Sequence, residues 1–287
     1  MRVAVQPRAG PALASALFAL AVLAWPLDTS PSPAELTSHI VHVNGVDLFY
    51  RIGGTGPPLL LVHGFTRVGH DWDDFLDELG QHFTVIVPDL RGHGLSATGA
   101  AEFGYPEAAR DMLGLLDHLR IKRCKAIGHS AGGITLLHMA GQQPERLEAM
   151  VLVSATHRFT PEAREACRAF PTLEELPFSQ REAYREIHPG GEPQIRWLLS
   201  QIRSWAQGFV DLGPERLAAI PTRTLVVWGD RDDNLPLALA VELYQALPAA
   251  SLWVVPGQGH LPIWDHGLAA EMFPRLVQEF LLGESAE

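Results

Sequence analysis

The residues with most chemistry to offer are a hydroxyl, a group of carboxylates and an imidazole, spread widely along the chain. The hydroxyl is Ser130, within Ala126-Ile127-Gly128-His129-Ser130-Ala131-Gly132-Gly133. That stretch reads as the end of a buried strand, a turn too tight for large side chains, and the start of a helix. Gly128-x-Ser130-x-Gly132 is the pattern of a nucleophile elbow, in which a strained turn exposes the serine hydroxyl above a sheet. Glycine is needed two residues before and after the serine because β-carbons there would collide as strand folds back against helix. The helix that follows adds partial positive charge at its N-terminus, where an oxyanion would form. The carboxylates are Asp230, Asp232 and Asp233, in Gly229-Asp230-Arg231-Asp232-Asp233-Asn234-Leu235-Pro236, and the imidazole is His260, after Gly257-Gln258-Gly259. The 13 histidines are scattered and no Cys/His cluster has zinc spacing, so no metal site is expected.

Something must hold these three groups together, and the pattern of elements says what. His39–Val43 and Val46–Arg51 read as strands joined by Asn44-Gly45, a strong hairpin signal. Leu59–Val62, Phe83–Val87, Lys125–Gly128, Ala149–Val153, Thr224–Trp228 and Ser251–Val255 are apolar runs, as expected of strands buried on both faces. Helical patterns lie between them, at about 71–79, 107–119, 131–142 and 237–247, with a closing helix at about 267–282. This alternation predicts an α/β fold: a mostly parallel, doubly wound sheet flanked by helices. Ser130, the acids 230–233 and His260 then all lie past the C-terminal ends of parallel strands, where open α/β sheets place their sites.

From about residue 156 to 220 the alternation stops. Thr160 before Pro161 reads as a capped helix start, Ser179 and Glu182 as a capping box. Ile195, Leu198, Leu199, Ile202 and Trp205 form a helical apolar stripe. The expected organisation is a core of residues 38–155 and 221–287 interrupted by a helical lid insertion, 156–220. The insertion carries Phe159, Phe170, Phe178, Tyr184, Trp197, Trp205 and Phe209. These aromatics hold the insertion together and, as a group, roof an apolar pocket. Phe159, Trp197, Trp205 and Leu261 are the candidate pocket residues.

Composition limits the partners. A net charge of −11, with no basic run, argues against nucleic acid. Residues 1–37 differ from the rest: Arg2 and Arg8 precede an apolar run, Ala12 to Trp25, followed by a Pro/Ser linker. This fits an export signal, implying a periplasmic or secreted protein; without such a signal the expectation is cytoplasmic. The run is too short and alanine-rich for a membrane span, so no stable membrane insertion of the mature domain is expected. Cys124 and Cys167 are expected at opposite ends of the sheet, too far apart to bridge. Oligomeric state is left open.

The chain order Ser…Asp…His, on a sheet with an elbow, resembles the α/β-hydrolase family from about residue 39 to 283. The resemblance is carried by His63-Gly64-Phe65, Asp89-x-Arg91-Gly92-x-Gly94-x-Ser96, the elbow, Gly229-x-x-Asp232-x-x-x-Pro236 and Gly259-His260, all in family order. It implies a triad: Ser130 as nucleophile, His260 as the base, and Asp232 holding the imidazole tautomer. The family register places the acid three residues after the glycine and four before the proline, which selects Asp232 over Asp230 and Asp233. It implies an oxyanion hole built from the backbone N–H groups of Phe65 and Ala131. His63, Asp89, Arg91 and His93 are expected to shape loops, and His129 to pack beside the elbow. Relatives that open epoxides or displace halide carry aspartate at the elbow; Ser130 here points to acyl transfer. The expected function is hydrolysis of a small-to-medium carboxylic ester or lactone, with a small-molecule substrate and no cofactor. Amide or carbon–carbon hydrolysis, acyl transfer or cofactor-free perhydrolysis by the same triad are alternatives. A non-catalytic receptor on the same fold is the rival from another class.

Overall fold

The structure, a computed structural model, describes residues 36–99, 102–208, 211–264 and 267–283. The export-signal reading of residues 1–37 therefore lies, up to residue 35, outside the described residues, as does Phe209.

The apolar runs form one eight-stranded sheet in the order β1-β2-β4-β3-β5-β6-β7-β8. The strands are β1 (Thr37–Val43), β2 (Val46–Gly54), β3 (Pro58–Val62), β4 (Thr84–Pro88), β5 (Cys124–His129), β6 (Leu147–Val153), β7 (Arg223–Gly229) and β8 (Ala250–Val255). The first two make the Asn44-Gly45 hairpin, with both turn residues at positive φ, and pair antiparallel; every pairing from β4 to β8 is parallel. Each central strand alternates between two apolar layers. Leu60, Val62, Ile86, Ala126, Met150, Leu152, Val226 and Trp228 face one core; Leu59, Leu61, Val85, Val87, Ile127, Val151, Leu225 and Val227 face the other. A strand buried on both faces cannot afford polar residues on either, hence its continuous apolar sequence.

The first layer is covered by α2 (Tyr105–His118), α3 (Ala131–Gln142) and α8 (Leu237–Ala246). The second is covered by α1 (Asp73–Leu79) and α9 (Leu268–Leu282). The helix expected from about residue 71 is two pieces, a 3₁₀ turn at Gly69–Trp72 running into α1. From β3 the chain steps to β4 on one side, then returns to form β5 on the other. The switch point of the sheet therefore lies between the ends of β3 and β5.

Between β6 and β7 come α4 (Pro161–Arg168), α5 (Phe178–Ile187), α6 (Gly191–Gly208) and α7 (Pro214–Ala218). The Thr160 hydroxyl caps α4 by accepting from the Ala163 amide at 3.2 Å. The Ser179/Glu182 capping box does not form. Pro177 occupies the cap position of α5, placing Ser179 inside the first turn, where it has no cap to close. Both cysteines are buried and free, one in β5 and one in α4, and burial pushes each thiol up to about 12.

Candidate active site

Ser130 sits between the last residue of β5 and the first of α3, with φ of 49° and ψ of −114°. A non-glycine residue takes such a backbone only when its surroundings impose it. They do so through two glycines. A Cβ on Gly128 would lie 2.6 Å from the backbone of Gly132 and Gly133, and one on Gly132 would lie 2.1 Å from the Val62 carbonyl oxygen. Both obstacles are backbone atoms, so neither can swing away.

The Ser130 Oγ lies 3.0 Å from His260 Nε2, and His260 Nδ1 lies 2.8 Å from Asp232 Oδ2. With Nδ1–H donating to the carboxylate, Nε2 is left to accept from the serine hydroxyl. Asp232 has a fully buried side chain. Its other oxygen, Oδ1, accepts from the amides of Asn234 and Leu235, both at 2.9 Å. That leaves the carboxylate held at both ends, as a buried charge requires. The neighbouring acids are used elsewhere: Asp230 accepts from the Gly257 amide at 2.5 Å, and Asp233 is exposed. Gly229 lets these two loops meet, since a Cβ there would lie 2.2 Å from the carbonyls of Gln258 and Gly259. The Trp228 indole N–H, donating to the Leu235 carbonyl at 3.0 Å, braces the acid-bearing loop from below.

His129 is buried, and its Nε2–H donates to the His260 carbonyl at 3.1 Å. Burial, then the adjacent His260, hold its pKa well below the ordinary value, so it stays neutral and ties the elbow to the loop carrying His260. Phe65 follows β3, Ala131 opens α3, and both line the same cavity as Ser130 and His260.

The remaining motif residues build the loops. His63 donates from Nδ1 to the Gly64 carbonyl (2.7 Å) and accepts at Nε2 from the Leu90 amide (2.9 Å), linking the β3 and β4 loops. Asp89 accepts from the amides of Gly69 and Leu95, and the Ser96 hydroxyl donates to the Asp89 carbonyl at 2.7 Å. Arg91 makes a buried two-pronged pair with Asp111, both contacts at 2.5 Å.

The cavity above Ser130 holds about 680 Å³ of empty space, counting the open solvent at its mouth. Its walls are Phe65, Tyr105, Ile134, Phe159, Ala163, Phe170, Ile202, Trp205 and Leu235, with Thr66 and Asn234 as added polar groups. Phe159 and Trp205 thus stand where the sequence reading puts them. Trp197 does not: it is not among the lining residues, and its ring packs over Gly92, where a Cβ would lie 2.0 Å from it. Leu261 does not either, because it packs with the second apolar layer beneath the sheet. Phe178 is exposed, and Tyr184 is buried without reaching the cavity. Phe170, one of the insertion aromatics, also lines it, whereas sequence reasoning missed Tyr105, Ile134 and Leu235, which core helices and the acid loop supply; their apolar character alone carried no signal of a cavity.

It also missed three polar side chains that fasten the helical segment to the core. His188, fully buried after α5, accepts at Nδ1 from the Gly94 amide (3.0 Å) and donates from Nε2 to the Thr66 carbonyl (3.2 Å). Gln194 donates to the carbonyls of Gly92 and Gly94, at 3.0 and 2.9 Å. Gln201 accepts from the Phe103 amide at 2.8 Å. Among the described residues no group of histidine, cysteine or carboxylate side chains could hold a metal ion.

The arrangement can pass a proton from a serine hydroxyl to an imidazole whose positive form a buried carboxylate stabilises. Proteins of known sequence and structure are similar to it. Residues 57–186 match the family model described as the alpha/beta hydrolase fold. A 2-hydroxy-6-oxo-6-phenylhexa-2,4-dienoate hydrolase from Burkholderia cepacia is 29% identical, over 85% of this chain and 96% of its own. The pimeloyl-[acyl-carrier protein] methyl ester esterase of Vibrio vulnificus is 28% identical over 75% and 92%. Among solved structures, a thermophilic esterase from Thermogutta terrifontis superposes with a TM-score of 0.71 at 26% identity, covering 85% of this chain and 98% of the other. The sheet order, the elbow geometry and relatives of near-equal length agree: the chain has the α/β-hydrolase fold and is a hydrolase.

Proposed function

We propose that the protein hydrolyses a small-to-medium carboxylic ester or lactone through an acyl-enzyme on Ser130. The observation that carries this is the unbroken relay from Ser130 Oγ to His260 to Asp232, at 3.0 and 2.8 Å, opening into an apolar cavity. His260 Nε2 takes the hydroxyl proton as Oγ attacks the carbonyl, and returns it to the leaving alkoxide. Asp232 keeps Nδ1–H directed at itself and stabilises the imidazolium, without accepting the proton. The Phe65 and Ala131 amides, with the N-terminus of α3, meet the negative charge developing on the carbonyl oxygen. Water activated by His260 then releases the acid. The helices between β6 and β7 act as a lid, excluding water from the acyl group.

A second reading, hydrolysis of a carbon–carbon bond by the same residues, is favoured by the similarity to the Burkholderia cepacia hydrolase, whose named substrate carries a ketone but no ester or amide. Fluorophosphonate labelling of the wild type and Ser130→Ala, alongside p-nitrophenyl ester turnover, tests the proposal. Labelling and turnover both lost in the variant are expected. Labelling without ester turnover turns the assignment to the carbon–carbon reading, and no labelling of folded wild type refutes an activated serine.

A further inference from the structure

The cavity above Ser130 is lined without a charged carboxylate, ammonium or guanidinium side chain among the described residues. Ile134, Phe159, Phe170, Ile202, Trp205 and Leu235 are all apolar. Four arginines stand next in sequence to lining residues, yet each is committed elsewhere, Arg67 to Asp71 at 2.7 Å. Arg158 is paired with Glu242 at 2.7 and 2.8 Å, and Arg164 with Asp211 at 2.9 and 3.0 Å. Arg203 donates to the Phe170 carbonyl at 3.2 Å. The positive features left are the N-terminus of α3 and the amides beside Ser130, and these serve the reacting carbonyl.

We infer that the cavity selects an uncharged, apolar acyl group and rejects substrates whose acyl part carries a carboxylate. The inference rests on the reading of Ser130 as the acylated residue. A carboxylate entering these walls loses its hydration and finds no cation to replace it, the condition under which burying a charge is most costly. The aliphatic and aromatic walls instead gain from each methylene they remove from water. The protein is thereby set apart from the Burkholderia cepacia relative, whose named substrate, a dienoate, is an acid.

The test compares two esters with acyl chains of equal length, p-nitrophenyl hexanoate and the mono-p-nitrophenyl ester of adipic acid, at neutral pH. The methyl ester of the second compound serves as an uncharged size control. Expected is a kcat/KM at least about 100-fold higher for the hexanoate than for the acid, with most of the loss restored by the methyl ester. Comparable rates for hexanoate and acid overturn the inference, as does a methyl ester that remains as slow as the acid, which assigns the loss to size. Fluorophosphonate labelling of Ser130 in the same samples separates the two levels of failure. A labelled serine with no preference removes the selectivity alone; an unlabelled serine with no turnover removes the acyl-enzyme reading, and this inference with it.

Discussion

Ser130, His260 and Asp232 can be read from the sequence because each sits in a turn whose neighbours are fixed by close backbone approach. Gly132 beneath Val62 and Gly229 against Gln258 leave no room for a Cβ, so composition itself marks the turns. Asp232 differs from Asp230 and Asp233 by a carboxylate with three hydrogen-bond contacts, to His260 and the amides of Asn234 and Leu235. Asp232→Asn is expected to keep the fold and lower kcat by about 10⁴-fold, because the amide no longer enforces the productive tautomer. Steady-state kinetics with circular dichroism checks this; near-normal kcat would show that another carboxylate serves His260. Gly132→Ala should cost about 3 kcal/mol or more, measured by urea denaturation, because its Cβ meets a carbonyl oxygen that cannot rotate away. A loss under 1 kcal/mol would mean that the elbow relaxes more easily than its contacts allow. Trp197 and Leu261 were not legible at this level: sequence places them near the site, but only the rotation of α6 and the layering of the sheet decide which way they face.

At the scale of elements, the strands and core helices were legible through their periodicity, whereas the attachment of α5 and α6 was not. A lone buried histidine and two glutamines have no periodic signature, and their partners are backbone groups 94 to 122 residues away. His188→Leu leaves the Gly94 amide and Thr66 carbonyl without this partner. It should cost about 2–4 kcal/mol. Because Thr66 adjoins Phe65, the variant should also lower kcat more than it raises KM. A stable variant with unchanged kcat would show that the helical segment merely rests on the core.

The whole molecule joins one sheet, two apolar layers and a set of buried neutral histidines. Burial lowers the pKa of His63, His93, His129 and His188, the last to about 4. The unfolded chain takes up these protons near pH 6.5, whereas the folded protein resists them until the pH is lower. Stability is therefore fully present above about pH 6.5 and falls as pH drops, with His188 alone contributing about 1.4 kcal/mol per pH unit down to about pH 4. Urea midpoints between pH 7 and pH 5 should fall accordingly, and less steeply in His188→Gln; a flat profile would contradict neutral burial.

The central claim is covalent chemistry at Ser130, and acid-quench mass spectrometry during p-nitrophenyl ester turnover tests it most directly. The account predicts a mass increase equal to the acyl group on the peptide containing Ser130, absent in Ser130→Ala and persistent where deacylation is slow. Turnover with no acyl adduct on that peptide, or an adduct on another residue, would contradict it.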